Sequence, residues 1–184
     1  MAKSKQVYRI KITLQGSKPP IWRRVEVPAD IRLSALHEVL QDVMGWEGEH
    51  LHQFMIGREC YGGEMLADQG DVEDEDEVKL NTLIKKEKEK FLYEYDFGDS
   101  WEHRLEVEKI LPADPDVHYP RCVAGKRACP PEDCGGVWGY AELLEAIRDP
   151  AHPEHEDMLE WVGGEFDPEA FNLEAVNELL RGGR

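Results

Sequence analysis

The chain has 184 residues, of which 41% are apolar, and its formal net charge is −17. This length and apolar content suffice for one packed domain and exclude wholesale disorder. No apolar run approaches the roughly 20 residues of a membrane-spanning helix, and no apolar signal segment follows the N-terminus. We therefore expect a cytoplasmic protein with no membrane partner, whose four cysteines are thiols or metal ligands rather than a disulfide scaffold.

The negative charge is concentrated in the last 124 residues. They carry thirteen Lys or Arg against thirty-two Asp or Glu, whereas the first sixty residues are nearly neutral. A surface of this sign repels the phosphates of nucleic acids. Direct nucleic-acid binding is therefore not expected unless the cations near the N-terminus form one basic face. Those cations are Arg9, Arg23, Arg24 and Arg32.

The first sixty residues predict two strands, a helix and a third strand. Apolar and polar residues alternate over 8–14 and again over 21–27, which predicts an antiparallel hairpin. Apolar residues then recur at helical spacing over 33–44, and Gly45 follows where a helix-terminating glycine belongs. Alternation returns over 50–56. This order is similar to the start of a β-grasp arrangement.

The richest apolar pattern lies in 91–107, where aromatic and aliphatic residues alternate with charged ones. We predict a hairpin at the centre of the fold, with its apolar face inward and a three-residue loop over 98–100. Cross-strand pairing would then bring ring against ring and opposite charges together. The predicted pairs are Phe97–Trp101, Tyr95–His103, Tyr93–Leu105, Phe91–Val107 and Glu94–Arg104.

Strand patterns cease after Pro112. The sequence predicts a loop over 112–136, rich in Pro, Asp, Cys and Gly, and then three helices. Asn172 is placed to cap the last of them. We therefore predict a single α+β domain over 1–184, with a mixed or antiparallel sheet and a helix in 1–111 and the cysteine-containing loop and helices in the remainder.

Three cysteines fall within the predicted loop, and His118 precedes the first of them by four residues. Thiolates and a histidine are natural ligands for tetrahedral zinc, although only the last two cysteines approach the usual pair spacing. Zinc, free packed thiols and a disulfide all stay open. The predicted metal ligands are Cys122, Cys129, Cys134 and His118, with His103 as a replacement for His118.

The tip of the aromatic hairpin carries groups that could do acid–base chemistry, namely Asp96, Asp99 and His103. Turn formation by Asp, Ser and Gly is the alternative explanation for the same residues. His50 and His52 share one strand face and could also chelate a metal. We predict that these groups meet in one cleft. The candidate cleft residues are Trp46, His50, His52, Asp96, Asp99, Trp101 and His103.

Six segments resemble motifs of the plasmid pRiA4b ORF-3-like family. They are PIWRR at 20–24, GW at 45–46, HLHQF at 50–54, YDFGDSWEH at 95–103, ACPPEDCGG at 128–136 with GY at 139–140, and FDPEAF at 166–171. The resemblance spans about residues 6–182. It implies a compact α+β protein encoded on plasmids, chromosomes and mobile elements, some of whose relatives are described as resolvase-like or carry a repressor-type DNA-binding segment. It implies no catalytic residues.

Three functions stay open on these patterns. The first is a binding or interaction module, with a cleft near the aromatic hairpin and the cysteine-containing loop for a peptide, a partner protein or a small ligand. The second is a metal-assisted hydrolytic enzyme that uses the His and Cys groups with Asp96 or Asp99. The third is a DNA-associated accessory protein of a mobile element.

Overall fold

A computed structural model describes residues 5–70 and 72–182 of the chain. In this part of the chain, eight strands form one sheet in the order β5-β4-β3-β6-β7-β1-β2-β8. The strands are β1 (Gln6–Leu14), β2 (Trp22–Pro28), β3 (His52–Ile56), β4 (Glu59–Gly62), β5 (Glu73–Asp74), β6 (Lys90–Tyr95), β7 (Trp101–Pro112) and β8 (Arg121–Lys126). The helices are α1 (Leu33–Met44), α2 (Glu64–Ala67), α3 (Leu80–Leu83), α4 (Gly136–Arg148), α5 (His155–Trp161) and α6 (Leu173–Gly182), with a 3-10 turn at Glu75–Glu77.

Alternation along the strands gives the sheet one apolar and one polar face. The inward side chains of β1, β6 and β7 are buried, and the apolar stripe of α1 belongs to the same core. Charged residues such as Lys11, Arg104 and Glu106 occupy the opposite face. The prediction of an α+β domain with a central, inward-facing aromatic hairpin is thus confirmed, because β6 and β7 lie in the middle of the sheet.

The strand–strand–helix–strand order is confirmed, but β3 does not lie beside the first hairpin. The hairpin of β6 and β7 is placed between β1 and β3, and β3 pairs with β6. All neighbouring strands are antiparallel except β4 and β5, which are parallel, so the sheet is mixed. None of the helices in the described ranges is long and apolar enough to cross a bilayer.

The predicted register of the aromatic hairpin is wrong by two residues. Tyr95, not Phe97, pairs with Trp101, and the loop comprises the five residues 96–100. A shift of two keeps every side chain on its predicted face, so the rings still point inward. Phe97 lies outside the ladder and is 41% exposed. The remaining inner pairs are Tyr93–His103 and Phe91–Leu105, and Glu94 faces Glu102 instead of Arg104.

The prediction of an uninterrupted loop over 112–136 is also wrong. Residues 121–126 form β8, which pairs antiparallel with β2 at the edge of the sheet. The Asn177 side chain then meets the outer edge of β8, because it both accepts from the Cys122 amide and donates to the Cys122 carbonyl, each at 2.9 Å. α6 therefore covers part of an otherwise open strand edge.

The predicted helices are confirmed. α1 ends at Gly45, whose φ of 98° is one that glycine adopts without strain. α4, α5 and α6 follow β8, and Asn172 caps α6 by accepting hydrogen bonds from the amides of Glu174 and Ala175 at 3.0 Å. This C-terminal layer brings the start of α4 against the tip of the aromatic hairpin.

Candidate functional site

The five-residue loop at the tip of the aromatic hairpin is held together by Asp96. Its Oδ1 accepts a hydrogen bond of 2.9 Å from the Gly98 amide, and its own amide donates to the Leu51 carbonyl at 2.8 Å. Asp96 has a φ of 57°, a conformation that Asp tolerates better than most residues. The turn chemistry uses Oδ1 and leaves Oδ2 directed towards His50.

The hairpin tip is packed against the cysteine-containing loop. Asp99 Oδ2 accepts a hydrogen bond of 3.0 Å from the Gly135 amide. A Cβ at Gly136 would lie only 2.4 Å from the Asp99 carbonyl oxygen, so this contact requires glycine. Trp46 joins the same junction by donating from Nε1 to the Pro130 carbonyl at 3.1 Å. The two unusual tracts of the sequence therefore touch.

Three potential metal ligands meet at this junction. His50 Nε2 lies 3.1 Å from Asp133 Oδ1 and 3.8 Å from Asp96 Oδ2, and the three ligand atoms all lie within 4.8 Å of one another. Atoms bound to one metal at about 2.1 Å are separated by roughly 3 to 3.5 Å, so this spacing suits a shared ion after small adjustments. Asp133 is exposed, which leaves the far side open.

Tyr95 and Glu132 brace this cluster. The Tyr95 hydroxyl donates to Glu132 Oε1 at 2.6 Å, and the Glu47 amide donates to the same oxygen at 3.3 Å. Burial, reinforced by the Glu132 carboxylate, raises the pKa of Tyr95 far above its usual value, so its hydroxyl stays a donor. The Tyr95 ring also meets His50 edge-on at 5.7 Å. Such outer contacts orient metal ligands.

A groove of about 220 Å³ adjoins the cluster and is lined by three histidines, His37, His50 and His52. His52 Nε2 lies 3.0 and 2.9 Å from the two carboxylate oxygens of Glu75, a buried residue. The His37 and His52 rings stack in parallel with 3.5 Å between centroids. His50 and His52 thus share the groove but have different acidic partners.

A buried tyrosine packs against two of the histidines that line the groove. The Tyr93 hydroxyl lies 2.7 Å from His37 Nδ1 and accepts from Gln41 Nε2 at 2.9 Å. Burial raises the pKa of Tyr93 well above its usual value, which keeps the phenol protonated. A carboxylate–imidazole pair beside a stacked imidazole and a phenol is an arrangement that can hold or pass a proton.

The predicted cleft must be corrected for three residues. Trp46, Trp101 and His103 are 1%, 0% and 0% exposed, so they belong to the core and cannot line a ligand cleft. The Trp46 ring packs against the rings of Tyr95 and Trp101. The His103 ring meets it edge-on, with 5.2 Å between ring centroids. Burial lowers the pKa of His103 to about 4, so it is neutral near pH 7. His50, His52, Asp96 and Asp99 do lie at the junction or its groove.

The structure does not assemble the cysteine ligand set that we predicted. Among residues 5–70 and 72–182, the group of Cys122, Cys129, Cys134 and His118 does not place three donor atoms within 4.8 Å. All four cysteines of the chain are free. Burial raises the pKa of Cys134 to about 12 and raises that of Cys129 well above its usual value, so both are neutral thiols. His118 is exposed and lies near Cys122 and α6 in another concavity.

The four arginines that would have to form a basic face are each engaged elsewhere. Arg23 is 2% exposed and donates to the Val43 carbonyl at 2.6 Å. Arg9 pairs with Glu26, Arg24 pairs with Glu108, and Arg32 donates to the Asp76 carbonyl. The condition that we set for a DNA-associated accessory role is not met by these residues.

Sequence reasoning missed Asp133, Glu132 and Glu75 as site residues. Asp133 and Glu132 sit in the ACPPEDCGG motif, where the cysteines were the more obvious candidates. The only available indication was that His50, Asp96 and Asp133 fall in three different family-like segments. Glu75 lay in an acidic run without a pattern that distinguishes one carboxylate from its neighbours.

Comparisons with known proteins agree with the fold and the motifs. The family model described as plasmid pRiA4b ORF-3-like protein matches residues 6–175. Uncharacterized protein y4hQ of Sinorhizobium fredii (strain NBRC 101917 / NGR234) is 41% identical over 179 residues, covering 95% of this chain and 90% of y4hQ. The crystal structure of MM3350 from Methanosarcina mazei Go1, a protein of unknown function, superposes with a TM-score of 0.85 at 41% identity, covering 94% of this chain and 98% of MM3350. The chain belongs to the plasmid pRiA4b ORF-3-like family.

Proposed function

We propose that this chain is a metal-dependent binding module, in which His50, Asp96 and Asp133 hold a divalent cation that anchors a ligand in the adjoining histidine groove. The observation that carries the proposal is the approach of one imidazole and two carboxylates to within 4.8 Å from three distant segments. Each segment contains one of the family-like motifs, and neighbouring contacts orient His50 and Asp96. Folding alone does not require these three groups to meet.

The donor set suggests the class of metal. One imidazole with carboxylates suits Zn²⁺, Mn²⁺ or Fe²⁺ better than Ca²⁺ or Mg²⁺, which favour oxygen-only sets. Three protein ligands leave coordination positions free for water or for a carboxylate, carbonyl or phosphate oxygen of a ligand. Leu51 and Met65, which are 41% and 66% exposed, add apolar surface along the groove. The molecule expected in the groove therefore combines a metal-binding oxygen with an apolar part.

Isothermal titration of chelator-treated protein with Zn²⁺ and with Mn²⁺ tests the proposal. We expect binding near one equivalent, and we expect His50→Ala and Asp133→Asn each to weaken it at least about tenfold. Exposed residues provide matched controls, His118→Ala for the histidine and Asp157→Asn for the carboxylate, and neither should change the affinity.

Two outcomes would contradict the proposal. Absence of binding by the wild-type protein would remove it. Binding that survives both site substitutions but is lost in Cys122→Ala or His118→Ala would show that the metal is bound by the predicted cysteine and histidine ligands instead. Far-UV circular dichroism of each variant separates loss of a ligand from loss of the fold.

A second candidate function is metal-assisted hydrolysis, and the His52–Glu75 pair favours it because His52 lines the same groove as the proposed metal ligand His50. An imidazole oriented by a carboxylate can take a proton from metal-bound water. Metal-dependent release of p-nitrophenol from phosphate and acetate esters tests this. We expect His52→Gln to lose turnover and to keep metal binding. A metal-loaded wild-type protein that shows no turnover would contradict the hydrolytic function and leave only the binding function.

We also infer a cytoplasmic setting. All four cysteines are free thiols, and free thiols persist in a reducing compartment more readily than in an oxidising one.

A further inference from the structure

A second cavity, separate from the histidine groove, lies between the turn that joins β1 to β2 and one side of α4. Its volume is about 400 Å³, within the range of pockets that hold small molecules. Leu14 and Ile21 line it from the turn, and Val137, Tyr140 and Leu144 line it from α4. Its walls are therefore mainly apolar.

The turn that forms one wall is firmly held. Ser17 Oγ donates to the Leu14 carbonyl at 2.8 Å and accepts from the Ile21 amide at 3.0 Å. A Cβ at Gly16 would lie 3.3 Å from a methyl group of Val137, so the turn packs closely on α4. A cavity with fixed walls requires little ordering when a ligand enters.

Trp138 lies at the mouth of this cavity and is 82% exposed. A tryptophan ring in this position adds little buried apolar area to the core. It offers a flat apolar surface on which a ligand can stack. Packing within the domain does not explain why a tryptophan occupies this position.

The rim of the cavity is positively charged, in contrast to the chain as a whole. Lys18, Arg127 and Arg148 border it with one acid, Glu169, although the chain has a net charge of −17. Arg127 is occupied by Glu169 at 3.0 Å and by the Pro20 carbonyl. Lys18 and Arg148 have no acidic partner within ion-pair distance among the described residues. Two cations therefore remain available at an apolar opening.

The Tyr140 hydroxyl adds a hydrogen-bond donor to the wall. Within the described part of the chain it has no hydrogen-bond partner, and Tyr140 lines the cavity. Burial raises the pKa of Tyr140 to about 12, so the phenol is protonated at neutral pH and offers its proton to an acceptor.

We propose that this cavity binds a small organic anion with an apolar body. The body would lie against Trp138, Val137 and Leu144, and the anionic group would lie near Lys18 and Arg148. An inorganic anion would leave the apolar walls unused, and an uncharged apolar molecule would leave the two cations without partners. The site does not depend on the metal proposed above, because none of the residues that line it is one of the three metal ligands.

The fluorescent anion 1-anilinonaphthalene-8-sulfonate is a suitable probe, since it joins an apolar ring system to a sulfonate. We expect saturable binding by the folded wild-type protein. Decanoate should displace the probe at a concentration at least about tenfold lower than decanol does, because only decanoate carries the charge that the rim selects.

Paired variants locate the site. Lys18→Glu combined with Arg148→Glu should raise the dissociation constant of the probe at least about tenfold. Lys86→Glu combined with Arg58→Glu makes the same change in net charge at exposed positions outside the cavity, and should have a far smaller effect. Trp138→Ala should weaken binding, and Trp161→Ala, at another exposed tryptophan, should not.

Several results would overturn the proposal. One is equal weakening by the two charge-reversal pairs, which would show that only the overall charge matters. Equal displacement by decanol and decanoate would reduce the site to an apolar crevice. Absence of saturable binding, with circular dichroism showing the folded protein, would also refute it.

Discussion

Asp99 Oδ2 accepts a hydrogen bond of 3.0 Å from the main-chain amide of Gly135. The carbonyl oxygen of the same aspartate lies against Gly136, where a Cβ would approach it to 2.4 Å. One residue of the hairpin tip thus contacts the cysteine-containing loop through both its side chain and its main chain. This contact holds Asp96 and Asp133 on the same side of the molecule, and the proposed metal site depends on it.

Replacing Gly136 by alanine should break this junction. Gly136 has a φ of 68°, and the new Cβ would also collide with the Asp99 carbonyl. Gly163→Ala is the matched control, because Gly163 has a φ of 85° with nothing within 4 Å of its Cβ position. The control should cost about 1 kcal/mol of unfolding free energy, and Gly136→Ala should cost at least about 1 kcal/mol more.

Urea denaturation measures both costs, and zinc titration measures the effect on the site. We expect a weaker metal affinity in Gly136→Ala than in Gly163→Ala. Equal stabilities and equal affinities would mean that the junction yields to the added methyl group and does not organise the site.

The stability of the protein should fall as the pH drops from 6.5 towards 4, partly because of His103. Burial lowers the pKa of His103 from 6.5 to about 4. Between these values the unfolded chain binds the proton and the folded protein does not, so protonation favours unfolding. The stabilisation is complete above about pH 6.5, and a shift of this size corresponds to on the order of 3 kcal/mol lost by pH 4.

His103→Phe isolates this contribution. Neither ring nitrogen of His103 has a hydrogen-bond partner among the described residues, so the substitution removes polar atoms without leaving a partner unpaired. Urea denaturation at several pH values should show a shallower loss of stability in the variant than in the wild type between pH 6.5 and 4. Parallel curves for the two proteins would show that His103 is not the group responsible.

Glu102→Lys should stabilise the aromatic hairpin. Glu94 and Glu102 are directly opposed on the polar face of the sheet, and like charges in this position are unfavourable. Replacing the exposed Glu102 by lysine turns repulsion into attraction, worth about 0.5 to 1 kcal/mol of unfolding free energy at low salt. Glu102→Gln should give a smaller gain because it removes only the repulsion.

Arg104→Gln tests the register by the same measurement. In the three-residue loop predicted from the sequence, Glu94 would face Arg104 and Glu102 would face Asp96, so Glu102→Lys would gain stability in either register. In the observed ladder Arg104 faces Leu92 and not a carboxylate, so Arg104→Gln should cost little at low salt. A clear, salt-dependent loss of stability in Arg104→Gln would contradict the observed pairing.

The sequence specified faces much better than it specified registers. Alternation over 91–107 places each ring on the inner side, yet it cannot distinguish two registers that differ by two residues. Asp96 determines the register, because its left-handed backbone and its hydrogen bond with Gly98 produce a five-residue loop. The strand β8 was not predicted, for a related reason. Of its residues only Cys122 is buried, and the strand forms because β2 offers it an unpaired edge.

The candidate site was predictable only in part. His50 and Asp96 stood out because a histidine and an aspartate occur beside strongly patterned strands. Asp133 did not, because its approach to them depends on how the loop before α4 packs on the hairpin tip. The metal prediction relied on the spacing of the cysteines, whereas folding raises the pKa of Cys129 and Cys134 and leaves both as neutral thiols. Long-range loop packing has no periodicity that a sequence pattern can reveal.

Asn177→Ala should loosen the edge of the sheet. The Asn177 amide bonds both the N–H and the carbonyl of Cys122 at 2.9 Å and so acts as a short substitute for a further strand. Alanine would leave both main-chain groups of a buried residue without that partner, at a cost of about 1 to 3 kcal/mol of unfolding free energy. Glu178→Ala, at the next and exposed position of α6, should stay within about 0.5 kcal/mol of the wild type.

Urea denaturation gives the cost, and amide hydrogen exchange shows where it arises. Exchange at Cys122 should accelerate in Asn177→Ala relative to Glu178→Ala, while amides at the centre of β7 should follow only the global change in stability. A uniform acceleration across the sheet, without any excess at Cys122, would show that the side chain of Asn177 does not protect the edge. A local excess would show that α6 closes the strand edge that β8 leaves open, which protects the sheet from pairing with another chain.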